Sequence, residues 1–330
     1  MRYFAVSCRR FCRSVPLGKT TAGRALPPWL MVCAIVLCWG LSWGMAGPAQ
    51  AAGAPLLAHA SRPLAIAAED DRTAEGRTLS DLEQIVARGE LVVAVLGNDN
   101  APFFMEVAPG EIGGLDIQLA QAIADQLGVE LVLNRTAETF DEVVDTVYAG
   151  EADLAISKIS RTMKRAVRVR FSRPYLQMRQ GLLINRLQFA QQGKSNNPTE
   201  TIRGLSGQVG VIKGSSYVGF LKQKFPQATI VELESWADIV AAVSSGDLLA
   251  GYRDELEIKK VVLTKPDAAL QLQTAVLTDT RDAIAMVLPW DSPHLLAFAD
   301  QYLDTLDTAY TVDGLLEEFA AYWQAQQAAL

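Results

Sequence analysis

The alternation of short apolar runs with amphipathic segments constrains the fold of this chain more than any other feature. Residues 91–96 form an apolar run bounded by glycines, which predicts a strand buried on both faces. Leu119, Ile123 and Leu127 then lie four residues apart, as on one face of a helix that ends at Gly128. Such alternation predicts a parallel sheet covered by helices.

Two series of these units occur, and a polar segment separates them. The predicted strands are 91–96, 129–133, 153–156, 209–212, 229–233, 248–252 and 283–288. The predicted helices begin near Ser80 and then cover 115–127, 140–148, 217–224, 235–245, 293–306 and 314–327. Between the two series, residues 187–198 are rich in Gln, Asn and Ser, which is typical of a linker. The pattern therefore predicts two α/β lobes.

The first 51 residues differ in composition from the rest. They contain six of the 30 Lys and Arg residues, no Asp or Glu, and all four Cys. An apolar run at 29–39 precedes Ala49-Gln-Ala51, the small-x-small pattern read by signal peptidase. We expect a signal peptide over 1–51, cleaved after Ala51, because the run is shorter than the roughly 20 residues that span a bilayer. A retained membrane anchor is the alternative. Residues 52–79 are predicted to be a flexible lead-in.

The remaining chain is acidic and free of cysteine. Residues 52–330 contain 24 basic and 37 acidic residues, a net charge of −13, which argues against a general nucleic-acid binder. Without cysteine they form no disulfide and supply no thiol nucleophile. The chain's two His leave little material for a metal site, and the sequence contains neither a Gly-x-Ser-x-Gly nor a Walker motif. We expect neither a metal nor a cofactor.

Polar clusters follow the carboxyl ends of predicted strands, where ligands of α/β sheets bind. The densest is 157–165, in which Arg165 could hold a carboxylate through two hydrogen bonds; a solvated basic face is the alternative. Ser215 and Ser216 could bind an anion or could simply cap a helix. Asp254 could hold an ammonium or could belong to an acidic surface turn.

Motifs over about residues 80–325 together carry a family resemblance. In order, they are Gly89-Glu-Leu-Val-Val-Ala-Val, Ala101-Pro-Phe103, Gly114-Leu-Asp116-Ile, Phe140-Asp, Ala149-Gly-Glu-Ala-Asp153, residues 156–165, Phe171-Ser-Arg-Pro-Tyr175, residues 209–216, and Ser245-Gly-Asp with Asp254. The sequence resembles the extracellular solute-binding proteins of family 3, the polar-amino-acid receptors of ABC importers.

The resemblance implies an α/β, periplasmic-binding-protein-like fold of type II, with two α/β lobes joined by a two-segment hinge. Lobe 1 would comprise residues 80–186 and 284–330, and lobe 2 residues 187–283, with crossings near 183–186 and 283–286. The implied ligand contacts are Arg165 and Ser216 on the α-carboxylate, Asp254 on the α-ammonium, Ser157 and Ser160 as polar contacts, and Phe140 packed on the ligand. Ser215 and Lys158 complete the candidate site.

Two departures from the family pattern bear on specificity. Lys158 stands where the family has a small residue, and Arg161 where it has an apolar or small polar one. These cations could favour a second ligand carboxylate, as in glutamate or aspartate, or both side chains could point to solvent.

The resemblance thus implies a monomeric periplasmic binding protein, not an enzyme, that delivers an amino acid to an inner-membrane permease. One alternative is a periplasmic enzyme on the same scaffold, similar to cyclohexadienyl dehydratase, with Glu255 or Glu257 as general acid. Another is a ligand-sensing receptor subunit.

Overall fold

The described part of the chain contains two five-stranded sheets, each packed against helices, and one small two-stranded sheet. The computed structural model describes residues 79–192, 197–306 and 310–328. The expected signal peptide, and the lead-in apart from Leu79, lie outside the described residues. Within the described ranges, no helix is both long and apolar enough to cross a membrane.

The first lobe is built around a mostly parallel sheet. Its strands, in spatial order, are β4 (Glu130–Asn134), β1 (Glu90–Ala94), β5 (Leu154–Ala155), β12 (Val287–Leu288) and β6 (Arg170–Phe171). A small hairpin, β2 (Met105–Ala108) and β3 (Glu111–Gly113), follows β1. The helices are α1 (Asp81–Arg88), α2 (Leu115–Leu127), α3 (Phe140–Tyr148), α4 (Met163–Ala166), α10 (Pro293–Asp304) and α11 (Val312–Ala328).

The second lobe is built around a mixed sheet. Its strands, in spatial order, are β11 (Leu272–Ile284), β7 (Leu176–Asn185), β10 (Ala250–Asp254), β8 (Gly207–Ile212) and β9 (Ala228–Leu233). The helices are α5 (Arg186–Gln192), α6 (Pro198–Arg203), α7 (Ser216–Lys224), α8 (Trp236–Ser245) and α9 (Glu255–Thr264), followed by a 3₁₀ turn at Pro266–Leu270. Its apolar side chains form a separate core on each face of this sheet.

Local signals set the helix ends. Ser80 and Glu83 form a capping box at α1, in which the Ser80 Oγ accepts from the Glu83 N–H at 3.2 Å. Gly89 and Gly128 end α1 and α2 in the left-handed conformation, which glycine adopts without strain. Every residue of β1 after the first is buried or half-buried, as expected of a strand with helices on both sides.

Two antiparallel strands, β7 and β11, connect the lobes. Leu176 pairs with Ile284 where both strands leave the second sheet, and the register shifts between Leu277 and Asp282. The chain re-enters the first sheet at Val287, three residues after β11 ends. This arrangement confirms the expected fold of two α/β lobes joined by a two-segment hinge.

Three details differ from the sequence-based expectations. Strand β7 belongs to the second sheet, so the chain enters that sheet about ten residues before the expected boundary at residue 186. The run 283–288 is not one strand, because it spans the crossing between β11 and β12. The described parts of the expected linker at 187–198 are helical, and the Asn197 side chain caps α6 by accepting from the Thr199 N–H at 3.0 Å.

Candidate functional site

A cavity lies between the two lobes. Its lining residues are Phe140, Lys158, Ser160, Arg165, Met178, Ile212, Ser215, Ser216, Tyr217, Tyr252, Arg253, Asp254, Asp282 and Ile284. They come from both lobes and both hinge strands. The cavity includes every candidate residue expected from the sequence except Ser157, whose buried Oγ instead accepts from the Leu96 N–H at 2.9 Å.

The lobes are closed on each other around this cavity. The Asp141 N–H at the start of α3 donates to the Gly214 carbonyl of the second lobe at 3.0 Å. The Lys260 ammonium on α9 donates to the Ala101 carbonyl of the first lobe at 2.6 Å. The direct contacts described below, between cavity side chains of opposite lobes, add to these.

Arg165 is held in place by the elements that precede it. Thr162 caps α4 by accepting from the Arg165 N–H at 3.3 Å. The Arg165 Nε and Nη2 donate to one oxygen of Asp141 at 3.1 and 2.9 Å, and Nη1 donates to the Ser160 carbonyl at 3.1 Å. A guanidinium has five N–H donors, so one on each terminal nitrogen has no acceptor among the described residues. Those two donors suit a carboxylate in the cavity.

Lys158 crosses the cleft. Its backbone has a φ of 50° and is fixed by Asp116, whose Oδ2 accepts from the Lys158 N–H at 2.6 Å. The buried ammonium lies 2.8 Å from the Glu257 Oε1 and 3.1 Å from the Asp254 Oδ2, and 4.7 Å from the centre of the Phe103 ring. Of the two unusual cations, therefore, Lys158 neither points to solvent nor is free for a ligand carboxylate, whereas Arg161 is exposed.

Asp116 itself is wholly buried. Burial raises its pKa to about 7, although hydrogen bonds from Tyr175 and from the Lys158 amide oppose the shift. The Tyr175 hydroxyl donates to the Asp116 Oδ1 at 2.9 Å. Asp116 thus positions the Lys158 backbone without touching the cavity.

Asp254, the residue expected to hold an ammonium, already has partners. It is the last residue of β10 and caps α9, where its Oδ1 accepts from the Glu257 N–H at 3.1 Å. Its Oδ2 forms the ion pair with Lys158 and lies 3.6 Å from the Arg253 Nε. Burial by itself would raise the pKa of Glu257, but the charges of Lys158 and its cationic neighbours hold that pKa far below its ordinary value. Glu257 is therefore ionised, and both carboxylates have cationic partners.

The serines join the two lobes. The Ser216 Oγ at the start of α7 donates to the Ser160 Oγ at 2.9 Å, and the Ser160 Oγ donates in turn to the Asp282 Oδ2 at 3.1 Å. The Ser215 Oγ donates to the Ile212 carbonyl at 2.6 Å, so Ser215 does not cap α7 with its side chain. The first amides of α7 have no acceptor within the helix and lie beside the cavity.

Sequence reasoning missed four polar residues of the cavity, namely Asp282, Arg253, Tyr217 and Tyr252. Asp282 is 2% exposed, and its Oδ2 also accepts from the Tyr217 hydroxyl at 2.8 Å. Burial raises the pKa of Asp282 to about 6, despite hydrogen bonds from Tyr217 and Ser160. The Arg253 guanidinium lies 6.0 Å from the centre of the Phe140 ring. A signal for Asp282 existed, since it directly precedes the apolar run 283–288.

The sequence matches the model of the bacterial extracellular solute-binding proteins, family 3, over residues 91–322. The chain belongs to this family. A solved member, an amino-acid ABC transporter substrate-binding protein from Streptococcus pneumoniae bound to L-arginine, is 30% identical with a TM-score of 0.60. The match covers 73% of this chain and 98% of that one. An ancestral amino-acid-binding protein, a precursor of cyclohexadienyl dehydratase, is 27% identical with a TM-score of 0.58, over 73% of this chain and 99% of that one.

Curated relatives include solute-binding proteins and larger enzymes. The glutamine-binding protein of Geobacillus stearothermophilus is 27% identical over half of this chain and 61% of its own length. Membrane-bound lytic murein transglycosylase F of Pseudomonas putida is 28% identical over 73% of this chain. The chain spans only 48% of that transglycosylase's length.

Proposed function

We propose that this family 3 protein captures a polar amino acid in the cavity between its lobes and delivers it to a membrane permease of an ABC importer. The observation that carries the proposal is Arg165, which presents two unused N–H donors to a cavity that both lobes enclose. The ligand's carboxylate would bind Arg165 and the first amides of α7. Its ammonium would bind on the acidic side of the cavity, near Asp254 and Asp282.

The charges of the cavity favour a zwitterion. Arg165, Lys158 and Arg253 line it together with Asp254 and Asp282, while Asp141 and Glu257 contact the first two cations from outside. The Lys158 ammonium is already paired, so it gives less reason to expect a second ligand carboxylate, as in glutamate or aspartate. Arg253 has its Nε 3.6 Å from the Asp254 Oδ2, but its terminal nitrogens could receive a second carboxylate, so acidic amino acids stay within the proposal and are compared directly with neutral and basic ones.

Closure by ligand is the physical basis of delivery. A ligand that contacts both lobes binds the closed form more tightly than the open form and shifts the hinge equilibrium. The permease would then recognise the closed surface. We further propose that residues 1–51 export the chain to the periplasm, where it acts as a monomer.

A calorimetric panel tests the proposal. The protein is titrated with the twenty amino acids, and we expect at least one to bind. Arg165→Ala should abolish that binding. Arg161→Ala is the matched control, because it removes an exposed arginine four residues away and should leave affinity unchanged. A folded protein that binds no amino acid would refute the proposal, and equal binding by both variants would refute the role of Arg165.

A periplasmic enzyme on this scaffold is the second candidate, and Asp282 is the observation that favours it. A buried carboxylate with a pKa of about 6 suits a general acid. Neither acid expected from the sequence does: the pKa of Glu257 is lowered by its cations, and Glu255 lies outside the cavity lining. Turnover of prephenate or arogenate that disappears in Asp282→Asn would establish this activity. A ligand-sensing receptor would bind the same amino acid without a permease partner.

A further inference from the structure

Among the described residues that line the cavity, Asp282 alone has a buried side-chain atom without a hydrogen-bond partner. Its Oδ1 is buried and has no hydrogen-bond partner among the described residues. Its Oδ2 accepts only from two neutral hydroxyls, those of Ser160 and Tyr217. No ion pair between the described residues includes Asp282 (Lys158 pairs with Asp254 and Glu257 instead). A buried charge without a counter-ion is costly, and a cationic donor in the cavity would relieve that cost.

Asp254 is in the opposite situation. Each of its oxygens has a partner, and the Lys158 ammonium lies at 3.1 Å, within ion-pair distance. Lys158 also contacts Glu257 on the next helix, at 2.8 Å. A ligand ammonium could reach Asp254 only by competing with a cation that belongs to the protein. Lys158 of the first lobe therefore gives Asp254 of the second lobe the positive charge that a ligand ammonium would otherwise provide.

A chain of hydrogen bonds through two serine hydroxyls links the places where the two ends of a ligand would bind. Ser216 donates to Ser160, and Ser160 donates to Asp282, so the start of α7 and the hinge carboxylate lie along one connected path. Residues 159–161 pair with the end of β11, through the Arg161 N–H to the Ala283 carbonyl at 2.8 Å. This pairing fixes Asp282 beside the segment that carries Arg165. Arg165, which can donate to a ligand carboxylate, and Asp282, which can accept from a ligand ammonium, thus border the same cavity.

We propose that Asp282 receives the ammonium of the bound amino acid and that Lys158 acts as the built-in counter-ion of Asp254. This assignment rests on the proposed function and specifies how the site recognises its ligand class. The ligand is a small molecule with both a carboxylate and an ammonium, and the ammonium is recognised from the hinge strand β11. Burial raises the pKa of Asp282, and the charge of Lys158 opposes this shift only in part, which agrees with a carboxylate that forms no ion pair among the described residues.

A cycle of variants and ligands tests the assignment. The probes are three pairs, each consisting of an amino acid and the same molecule without its α-ammonium. The pairs are L-glutamate with glutarate, L-glutamine with glutaramate, and L-arginine with 5-guanidinopentanoate. For the pair that binds, calorimetry on the wild-type protein should show that the amino acid binds on the order of 100-fold more tightly than its des-amino counterpart. In Asp282→Asn this preference should fall to less than about tenfold, while the affinity for the des-amino acid stays within a few-fold.

Two variants control for fold and position. Asp279→Asn removes an exposed carboxylate of the same strand and should keep the full preference. Asp254→Asn tests the competing assignment: it should weaken both members of a pair alike, through the lost contact with Lys158, and leave the preference between them in place. Circular dichroism melts check that each variant is folded.

Each outcome has one meaning. If Asp282→Asn keeps the 100-fold preference, or if Asp254→Asn alone loses it, the assignment to Asp282 is overturned while the proposed function stands. If the wild-type protein binds no amino acid of the full panel, the proposed function itself fails.

Discussion

Replacing Lys158 with methionine removes the ammonium that joins the lobes and keeps an unbranched side chain of similar reach. The change leaves Asp254 and Glu257 facing each other's charge without the cation that lies 3.1 and 2.8 Å from them. All three groups are buried, with side chains at most 6% exposed. We expect the variant to lose its preference for the closed arrangement.

The magnitude follows from these distances. At an effective dielectric constant of about 20, each contact contributes roughly 5–6 kcal/mol of Coulomb energy before desolvation. Desolvation of three buried charges offsets most of this, and breaking a buried pair by removing one partner costs about 3–5 kcal/mol. Because Lys158 belongs to one lobe and its partners to the other, opening the cleft returns to water two carboxylates that keep only Arg253 and Lys260 as cationic neighbours. The loss therefore falls on closure, and about 3 kcal/mol corresponds to a change of roughly 100-fold in the ratio of closed to open forms.

Small-angle X-ray scattering of the ligand-free protein measures this ratio. Lys158→Met should increase the radius of gyration, and amide hydrogen exchange should accelerate in β10 and at the start of α9. Lys164→Met is the matched control, because that lysine is 84% exposed and its pair with Asp141 contributes little. Identical scattering and exchange by the two variants would show that Lys158 does not hold the lobes together.

Three further changes give independent tests. Asp282→Asn should raise the free energy of unfolding by about 3 kcal/mol at pH 8, because burial raises the pKa of the aspartate from 3.8 to about 6. The gain should disappear as the pH falls through 6 towards 4, where the wild-type carboxylate is protonated in the fold; urea unfolding across this range measures it. Gly214→Ala would place a Cβ 2.8 Å from the Thr139 Cβ of the other lobe, so calorimetry should show at least about tenfold weaker amino-acid binding. Tyr175→Phe leaves the Asp116 Oδ1 without its donor and should cost about 1–3 kcal/mol in urea unfolding.

Matched variants separate these effects from general damage. Gly219→Ala adds a methyl group with no atom within 4 Å and should leave binding unchanged. Asp279→Asn should not show the stability gain of Asp282→Asn at pH 8. A stability gain that is equal at pH 5 and pH 8 would contradict the explanation based on the pKa of Asp282.

The sequence predicted the regular strand–helix units well because their periods are local properties. Helices α2 and α3 begin and end where the apolar spacing and the terminal glycine or threonine indicate. The hinge strands β7 and β11 escaped prediction, since exposed Gln, Arg, Thr and Asp side chains interrupt their apolar residues. Their pairing joins segments about 100 residues apart, which no local pattern encodes.

The sequence indicated part of the residues that line the cavity and none of the contacts between them. The family motif brings Arg165, Ser160 and Ser216 to the cavity, where all three lie. The direction of Lys158 depends on one backbone angle, a φ of 50°, and on a buried aspartate 42 residues earlier. The proximity of Asp282 to Ser160 depends on the return of the chain through the second hinge segment. Both are consequences of tertiary structure.

Asp282 lies two residues before the end of β11, close to the point about which the lobes would rotate. A residue near a pivot travels little, whereas Arg165 and Ser216, on opposite lobes, would separate as the cleft opens. We therefore expect the order of events in binding to follow distance from the pivot: the ammonium meets Asp282 in the open protein, and the carboxylate gains its last contacts on closing. Substitutions at Asp282 would then slow association, and substitutions at Ser216 would shorten the residence time of the bound amino acid.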